Sequence, residues 1–121
     1  YAARARKEYI FSGGNKISKL AWTKENSKSE IQFISQKIPN DFGLFDMSGN
    51  VWEWTWDRHA VYDSSDTVDP MGAKDGEYRI RRGGSAYQEW KYARVDARYP
   101  VHPNYRSQDQ GIRLVRTAPE L

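Results

Sequence analysis

The chain has 121 residues, which is enough for one domain or part of one. It contains no cysteine, so disulfides, thiolate metal sites and cysteine nucleophiles are excluded. The formal net charge of +3 comes from 19 basic and 16 acidic residues that are interspersed along the chain. Because the two signs are interspersed, we expect a solvated surface and no nucleic-acid partner. No run of about 18 apolar residues occurs, so we also expect no membrane span.

The N-terminal third is mostly polar and predicts little regular structure. Residues 1–7 contain alanines and arginines that favour a helix, so we expect the last turns of one here, ended by a glycine pair. Leu20 and Trp22 are expected to anchor the next stretch to the core. Residues 25–29 are expected to form an exposed loop, and residues 30–38 a short extended segment that a proline ends.

The densest pattern is a turn followed by a tryptophan-rich strand. Residues 46–50 read Asp-Met-Ser-Gly-Asn, which is typical of a turn. Trp52, Trp54 and Trp56 then alternate with other residues, and this period of two indicates a half-buried strand. Because each indole is large, we expect the face that carries them to be covered and to form the centre of the core.

Two further strands are expected beyond the tryptophan strand. Residues 59–76 are rich in Asp, Ser, Pro and Gly and predict a loop. Residues 78–82 alternate and predict a strand that a second glycine pair ends. Residues 111–116 predict a closing strand with Ile112 and Leu114 on one face.

Oxygen donors gather around the predicted turn. They are the side chains of Asp46 and Glu53 and the backbone carbonyls of Gly49 and Val51. Calcium takes about 6–8 oxygens of these kinds, so the four donors are a candidate calcium site. In the alternative arrangement, Asp46 caps the turn and Glu53 pairs with an arginine, Arg81 or Arg113. Spacing alone favours the alternative.

The stretch after the second glycine pair has the composition of a recognition surface. Tyr87 and Trp90 offer large contact areas at low entropic cost, and we expect both at the surface with Gln88. Tyr92 and Tyr99 are expected instead to cover the tryptophan strand. A simpler interpretation is that the glycines only permit a close backbone approach and that the serine after them caps a turn.

Three blocks of the sequence carry a family resemblance. The blocks are FGLFDMSGNVWEWTWD at residues 42–57, YRIRRGGSAY at residues 78–87 and GIRLVR at residues 111–116. In this order they resemble the formylglycine-generating enzyme, or sulfatase-modifying factor, family. The resemblance implies an α+β, C-type-lectin-like fold that is rich in loops and has short antiparallel strands. It also implies that residues 1–121 are the C-terminal portion of one such domain, in an extracytoplasmic, periplasmic or cell-surface, location.

The resemblance also assigns candidate site residues. It places a structural calcium ion on Asp46, Gly49, Val51 and Glu53, and it places Ser85 and Tyr92 along a substrate groove. With Tyr87, Gln88 and Trp90, these two residues form the predicted ligand-binding set. In catalytic members, two cysteines bind copper and activate oxygen, and their positions here are Gln88 and Ala93. Since neither residue can form a thiolate, we expect no copper site and no oxidase chemistry.

Three functions remain open from the sequence. The first is a non-catalytic structural or ligand-binding module, of which the bacterial variable proteins of diversity-generating retroelements are one kind. The second is part of an enzyme of the same superfamily, such as an ergothioneine-type sulfoxide synthase whose catalytic residues lie elsewhere. The third is an authentic oxidase that has lost residues in this copy. The expected partner is a protein or peptide, and the N-terminal half of the domain or a second copy are alternatives.

Overall fold

The sheet at the centre of the structure is built from four short strands. The computed structural model describes residues 1–60, 73 and 75–116, with the strands β1 (Trp52–Arg58), β2 (Arg79–Arg82), β3 (Tyr99–Val101) and β4 (Gln110–Gly111). The described helical elements are one α-helical turn, α1 (Ile17–Leu20), and one 3₁₀ helix (Trp90–Ala93). The remaining described residues form turns and loops, which confirms the predicted α+β, loop-rich class.

β1 occupies a central position in the sheet, whose order is β3-β2-β1-β4. It pairs antiparallel with β2 and parallel with β4, and β3 pairs antiparallel with β2. Glu53 lies opposite Arg82 and Trp54 opposite Arg81, but the register shifts before Arg58 is reached. The strands predicted at the tryptophan stretch and at residues 78–82 are therefore confirmed.

Trp52 lies at the centre of the aromatic packing. Its side chain is only 1% exposed. Its ring centroid lies 6.2 Å from that of Tyr92 and 5.6 Å from that of Tyr99, so rings from the loop and from β3 cover it as predicted. The backbone N–H of Trp52 donates to the Asp109 carbonyl at 2.8 Å, which ties the start of β1 to the segment before β4.

The prediction that all three indoles lie on one covered face is wrong for the other two tryptophans of β1. Trp56 is 78% exposed. Trp54 is half-buried and lines an open, mostly apolar cavity of about 590 Å³ together with Ile112 and Leu114. The prediction fails because the register of β1 shifts between Trp54 and Arg58, and such an irregularity interrupts the alternation of side chains across a strand.

Segments before β1 also differ from their expected structure. Residues 1–7 form turns rather than the end of a helix, with one helix-like hydrogen bond from the Ala5 N–H to the Tyr1 carbonyl. Residues 30–38 form no strand. Ser27, in the loop expected to be exposed, is 1% exposed because its hydroxyl donates to a backbone carbonyl of another loop.

The closing strand is shorter than the sequence predicts. Regular pairing ends at Gly111, and the Ile112 and Leu114 side chains are largely exposed. Most of the loop predicted at residues 59–76 lies outside the described residues. Within the described part of the chain, no helix has the length and apolar character needed to cross a membrane.

A half-buried ion pair supports β1 from the side of β3. Arg98 Nη2 donates to Asp57 Oδ2 at 3.0 Å, and the Thr55 hydroxyl donates to the other carboxylate oxygen. Burial alone would raise the pKa of Asp57, but these hydrogen bonds outweigh it and the pKa lies below its ordinary value. Asp57 is therefore ionised at neutral pH.

Candidate functional site

The glycine pair after β2 lets the chain fold back on itself. Gly83 and Gly84 have φ angles of 93° and 72°, which are left-handed values that favour glycine. A Cβ atom on Gly84 would lie 2.9 Å from the backbone nitrogen of Ala93 and the backbone carbon of Tyr92. Residues 85–93, which we call the recognition loop, therefore close directly against this glycine, as the close-approach interpretation predicted.

Ser85 holds the start of the recognition loop from beneath. It is completely buried, and its hydroxyl donates to Asp109 Oδ2 at 2.6 Å. The same hydroxyl accepts a hydrogen bond from the Tyr87 N–H at 3.3 Å, and Asp109 accepts a second one from the Ser107 hydroxyl. In this arrangement the Ser85 hydroxyl is engaged within the protein. The sequence alone does not single out Asp109, the acceptor for both serines. Ser85 is distant from it along the chain, and a nearby serine such as Ser107 is common in loops.

Three more hydrogen bonds fix the backbone of the recognition loop. The Ala86 N–H donates to the Asn50 carbonyl at 2.8 Å, and the Ala86 carbonyl accepts from the buried Ser27 hydroxyl at 2.6 Å. The Gln88 carbonyl accepts from the Lys24 N–H at 2.9 Å. Because its backbone is already ordered, the loop would lose little conformational entropy when it binds a partner.

The predicted ligand-binding side chains divide into an outer and an inner group. Trp90 is 47% exposed, and Tyr87 and Gln88 are partly exposed beside it in the sequence. Tyr92 belongs to the inner group because its ring packs edge-on against Trp52. The exposed part of the recognition loop therefore presents an indole, a phenol and a primary amide to solvent.

The two positions that correspond to the catalytic cysteines of the resembling family have different surroundings. Gln88 is half-buried in the recognition loop. Ala93 is 1% exposed and packs in the same core cluster as Phe11 and Leu20. The Ala93 carbonyl also accepts the Ser48 hydroxyl at 2.8 Å. Neither position offers a sulfur ligand, and the second is closed to solvent.

The candidate calcium ligands lie around a second, smaller cavity. Asp46, Val51 and Glu53 line this cavity, which has a volume of about 360 Å³. Asp46 Oδ2 accepts the Ser35 N–H at 2.7 Å, whereas Asp46 Oδ1 is buried without a hydrogen-bond partner among the described residues. Gly49, the fourth candidate, is buried nearby and its N–H donates to the Gly83 carbonyl at 2.7 Å.

Arg113 reaches the same cavity from the segment after β4. Its Nη2 and Nε lie 2.6 and 2.8 Å from the two carboxylate oxygens of Glu53, and Nη2 also donates to the Phe45 carbonyl at 2.9 Å. The hydrogen bond with Glu53 raises the pKa of Arg113 above its ordinary value despite partial burial. Glu53 therefore meets an arginine, as the alternative arrangement predicted, and the partner is Arg113 rather than Arg81.

The donor set remains compatible with calcium beside this ion pair. The buried, unpaired Asp46 Oδ1 is a hard anionic oxygen, which calcium prefers, and Glu53 oxygens can accept more than one partner each. Among the described residues, no group of three or more His, Cys, Asp or Glu side chains is placed to hold a metal ion. A calcium ion would consequently depend on backbone carbonyls and water for most of its ligands.

Comparison with known proteins places the chain in a family. Residues 1–118 match the model of the sulfatase-modifying factor enzyme 1-like domain. The formylglycine-generating enzyme of Streptomyces coelicolor is 40% identical over 101 residues, covering 79% of this chain and 32% of the relative. Treponema denticola variable protein 1 superposes with a TM-score of 0.86 and 34% identity, covering 93% of this chain and 42% of that one.

A second solved structure agrees with this placement. PvdO from Pseudomonas aeruginosa has a TM-score of 0.77 and 25% identity, covering 93% of this chain and 47% of that one. The chain thus spans less than half the length of each of these three relatives. With the matched family model and the shared fold together, the chain belongs to the sulfatase-modifying factor family, which includes the formylglycine-generating enzymes.

Proposed function

We propose that this chain is a binding module on the sulfatase-modifying factor scaffold and has no oxidase activity of its own. The observation that carries the proposal is the absence of cysteine from the whole sequence, with Gln88 and Ala93 at the two family positions. Copper(I) is bound by soft thiolate ligands, and no side chain here can replace them at both positions. The chain would then keep the family fold without the copper site that performs the oxidation.

The recognition loop is the surface that we assign to binding. Its backbone is fixed by three hydrogen bonds to two other segments, while Trp90, Tyr87 and Gln88 are at least partly exposed to solvent. A rigid loop that presents aromatic side chains and an amide is typical of binding surfaces, where aromatic residues often contribute most of the affinity. The partner that we propose is a protein or peptide at an extracytoplasmic location.

The likeness to a solved variable protein favours this function over an enzymatic one. Treponema denticola variable protein 1 shares the fold over 93% of this chain. Its name describes variation rather than a reaction. In the present chain, the recognition loop combines a supported backbone with exposed side chains, so residues could be exchanged there without removing the hydrogen bonds beneath.

Calcium is proposed as a structural ion of this module. Asp46 and Glu53, with carbonyls of Gly49 and Val51, would hold it beside the Arg113 guanidinium. Such an ion would neutralise the unpaired Asp46 oxygen and join the turn before β1 to β1 itself. It would supply binding energy to the folded state and no catalytic chemistry.

Two assays test the proposal. First, the protein is incubated with copper and a cysteine-containing sulfatase peptide, and mass spectrometry measures formylglycine; we expect no more product than in a sample without protein. Second, a random peptide library displayed on phage is selected on immobilised protein. We expect enriched peptides to lose binding to Trp90→Ala but to retain it for Trp56→Ala, an exposed tryptophan outside the recognition loop. Product above background, or equal binding to both variants, would contradict the proposal.

A further inference from the structure

Arg81 is a buried arginine in the middle of an aromatic cluster. It lies on β2 opposite Tyr99 of β3. Its guanidinium carbon is 4.4 Å from the ring centroid of Trp52 and 5.2 Å from those of Tyr99 and Tyr105. Three rings therefore surround one cation, and each ring attracts it through its quadrupole.

The guanidinium of Arg81 has few hydrogen-bond partners among the described residues. Arg81 is 8% exposed, and its Nη1 donates to Gln110 Oε1 at 2.9 Å. Among the described residues, its buried Nε has no hydrogen-bond partner and the guanidinium forms no salt bridge. A guanidinium has five N–H donors, and a buried charge is costly unless an opposite charge or hydrogen bonds compensate it.

The sequence from β2 onward is poor in carboxylates. Between Tyr78 and Arg116 there are nine lysines and arginines and only three acidic residues, Glu89, Asp96 and Asp109. Glu89 pairs with a lysine, Asp96 with an arginine, and Asp109 accepts from two serines. None of these three carboxylates pairs with Arg81.

Part of this cluster is exposed to solvent. Tyr99 and Tyr105, two of the three rings around Arg81, are each more than two-fifths exposed. Tyr92 packs against Tyr99 with ring centroids 5.8 Å apart, so the cluster is continuous with the recognition loop. A ligand on the exposed tyrosines would lie close to both the loop and the buried cation.

We propose that Arg81 is the receptor for a carboxylate of an acidic peptide ligand, held between the exposed rings of Tyr99 and Tyr105. The proposal rests on the proposed function and names its ligand class. Arginine suits this role because its planar fork can donate two parallel hydrogen bonds to one carboxylate. The rings fix the plane of the fork, so binding loses little side-chain entropy.

The test compares two fluorescently labelled peptides on the intact protein by anisotropy. One peptide alternates glutamate with glycine, and the other has glutamine in place of glutamate. We expect the glutamate peptide to bind about tenfold more tightly, since a hydrogen bond to a charged group is worth roughly one such step. Arg81→Met should reduce its affinity to that of the glutamine peptide. Arg6→Met, which removes an exposed arginine of the N-terminal segment, should leave both affinities unchanged.

The outcomes separate this proposal from the proposed function. Equal affinity of the two peptides, equal binding by Arg81→Met and the parent, or no binding of either peptide would overturn the role of Arg81. If the phage-selected peptides still lose binding to Trp90→Ala, the binding function stands and only the ligand class is wrong. Should Arg81→Met fail to fold, Arg81→Lys keeps the charge without the fork. Arg81→Lys must weaken binding of the glutamate peptide more than binding of the glutamine peptide; otherwise the proposal fails.

Discussion

Replacing Trp52 with alanine should be among the most damaging single changes to this fold. The indole is almost fully buried between Tyr92, Tyr99 and the Arg81 guanidinium. Truncation removes that contact area and leaves a cavity that the neighbouring rings can fill only in part. It also removes one of the three rings that compensate the buried charge of Arg81.

The expected loss of stability can be worked out from the burial of the indole. Truncating a buried tryptophan to alanine costs about 3–5 kcal/mol of unfolding free energy. For a domain of this size, each kcal/mol lowers the melting temperature by roughly 4 °C, so a decrease of about 12–20 °C is expected. The total stability of a small domain is about 5–15 kcal/mol, and the variant is therefore expected to be near the limit of folding at 37 °C.

The matched control lies on the same strand. Trp56 is 78% exposed, so Trp56→Ala should change the unfolding free energy by less than about 0.5 kcal/mol. Circular dichroism melts of the parent and both variants measure the difference directly. If Trp52→Ala melts within about 4 °C of the parent, or if Trp56→Ala is as destabilised as Trp52→Ala, the core of the domain is not centred on Trp52.

Three further changes test other parts of the structure. Excess calcium should raise the parent melting temperature relative to chelator but should not affect Glu53→Gln; an unchanged parent would remove the metal from this site and leave Glu53 paired with Arg113. Because folding lowers the pKa of Asp57, its carboxylate stabilises the protein above about pH 4 and ceases to do so as the pH falls through the folded pKa. Urea denaturation should therefore show that the difference in unfolding free energy between the parent and Asp57→Asn shrinks below about pH 4. A difference that stays constant with pH would contradict this. Gly84→Ala should destabilise more than Gly43→Ala, since both have positive φ but only the former Cβ meets backbone atoms; equal thermal melts would show that the recognition loop can move away.

The strands are easier to predict from the sequence than the surroundings of their side chains. The alternation of side chains locates β1 and β2. The alternative arrangement at the turn, in which Glu53 pairs with Arg81 or Arg113, includes the contact that the structure has. Alternation fails where the register of a strand shifts, and for that reason it places Trp56 in the core although the side chain is exposed. The environment of Arg81 escapes prediction for another reason. It depends on the lateral strand order, which brings together rings that are distant in the chain.

The burial of Ser85 shows a similar limit. A serine after two glycines reads as a loop residue, and family resemblance places it in a groove. In the structure, its hydroxyl is covered because the segment before β4 supplies Asp109 as an acceptor. No local pattern indicates an acceptor 24 residues away, so the sequence can locate the recognition loop but not which of its side chains face inward.

The parallel pairing of β1 with β4 determines when the domain can fold during synthesis. Trp52 pairs with Gln110, and its amide hydrogen bond ends on Asp109. A ribosome releases the chain from the N-terminus, so the tryptophan strand emerges well before the residues that complete it. Completion of the pairing around β1 must wait for Gln110 and Gly111, as is usual where contacts link distant residues. During that interval the indole of Trp52 lacks its cover, and the nascent chain presents a target for molecular chaperones.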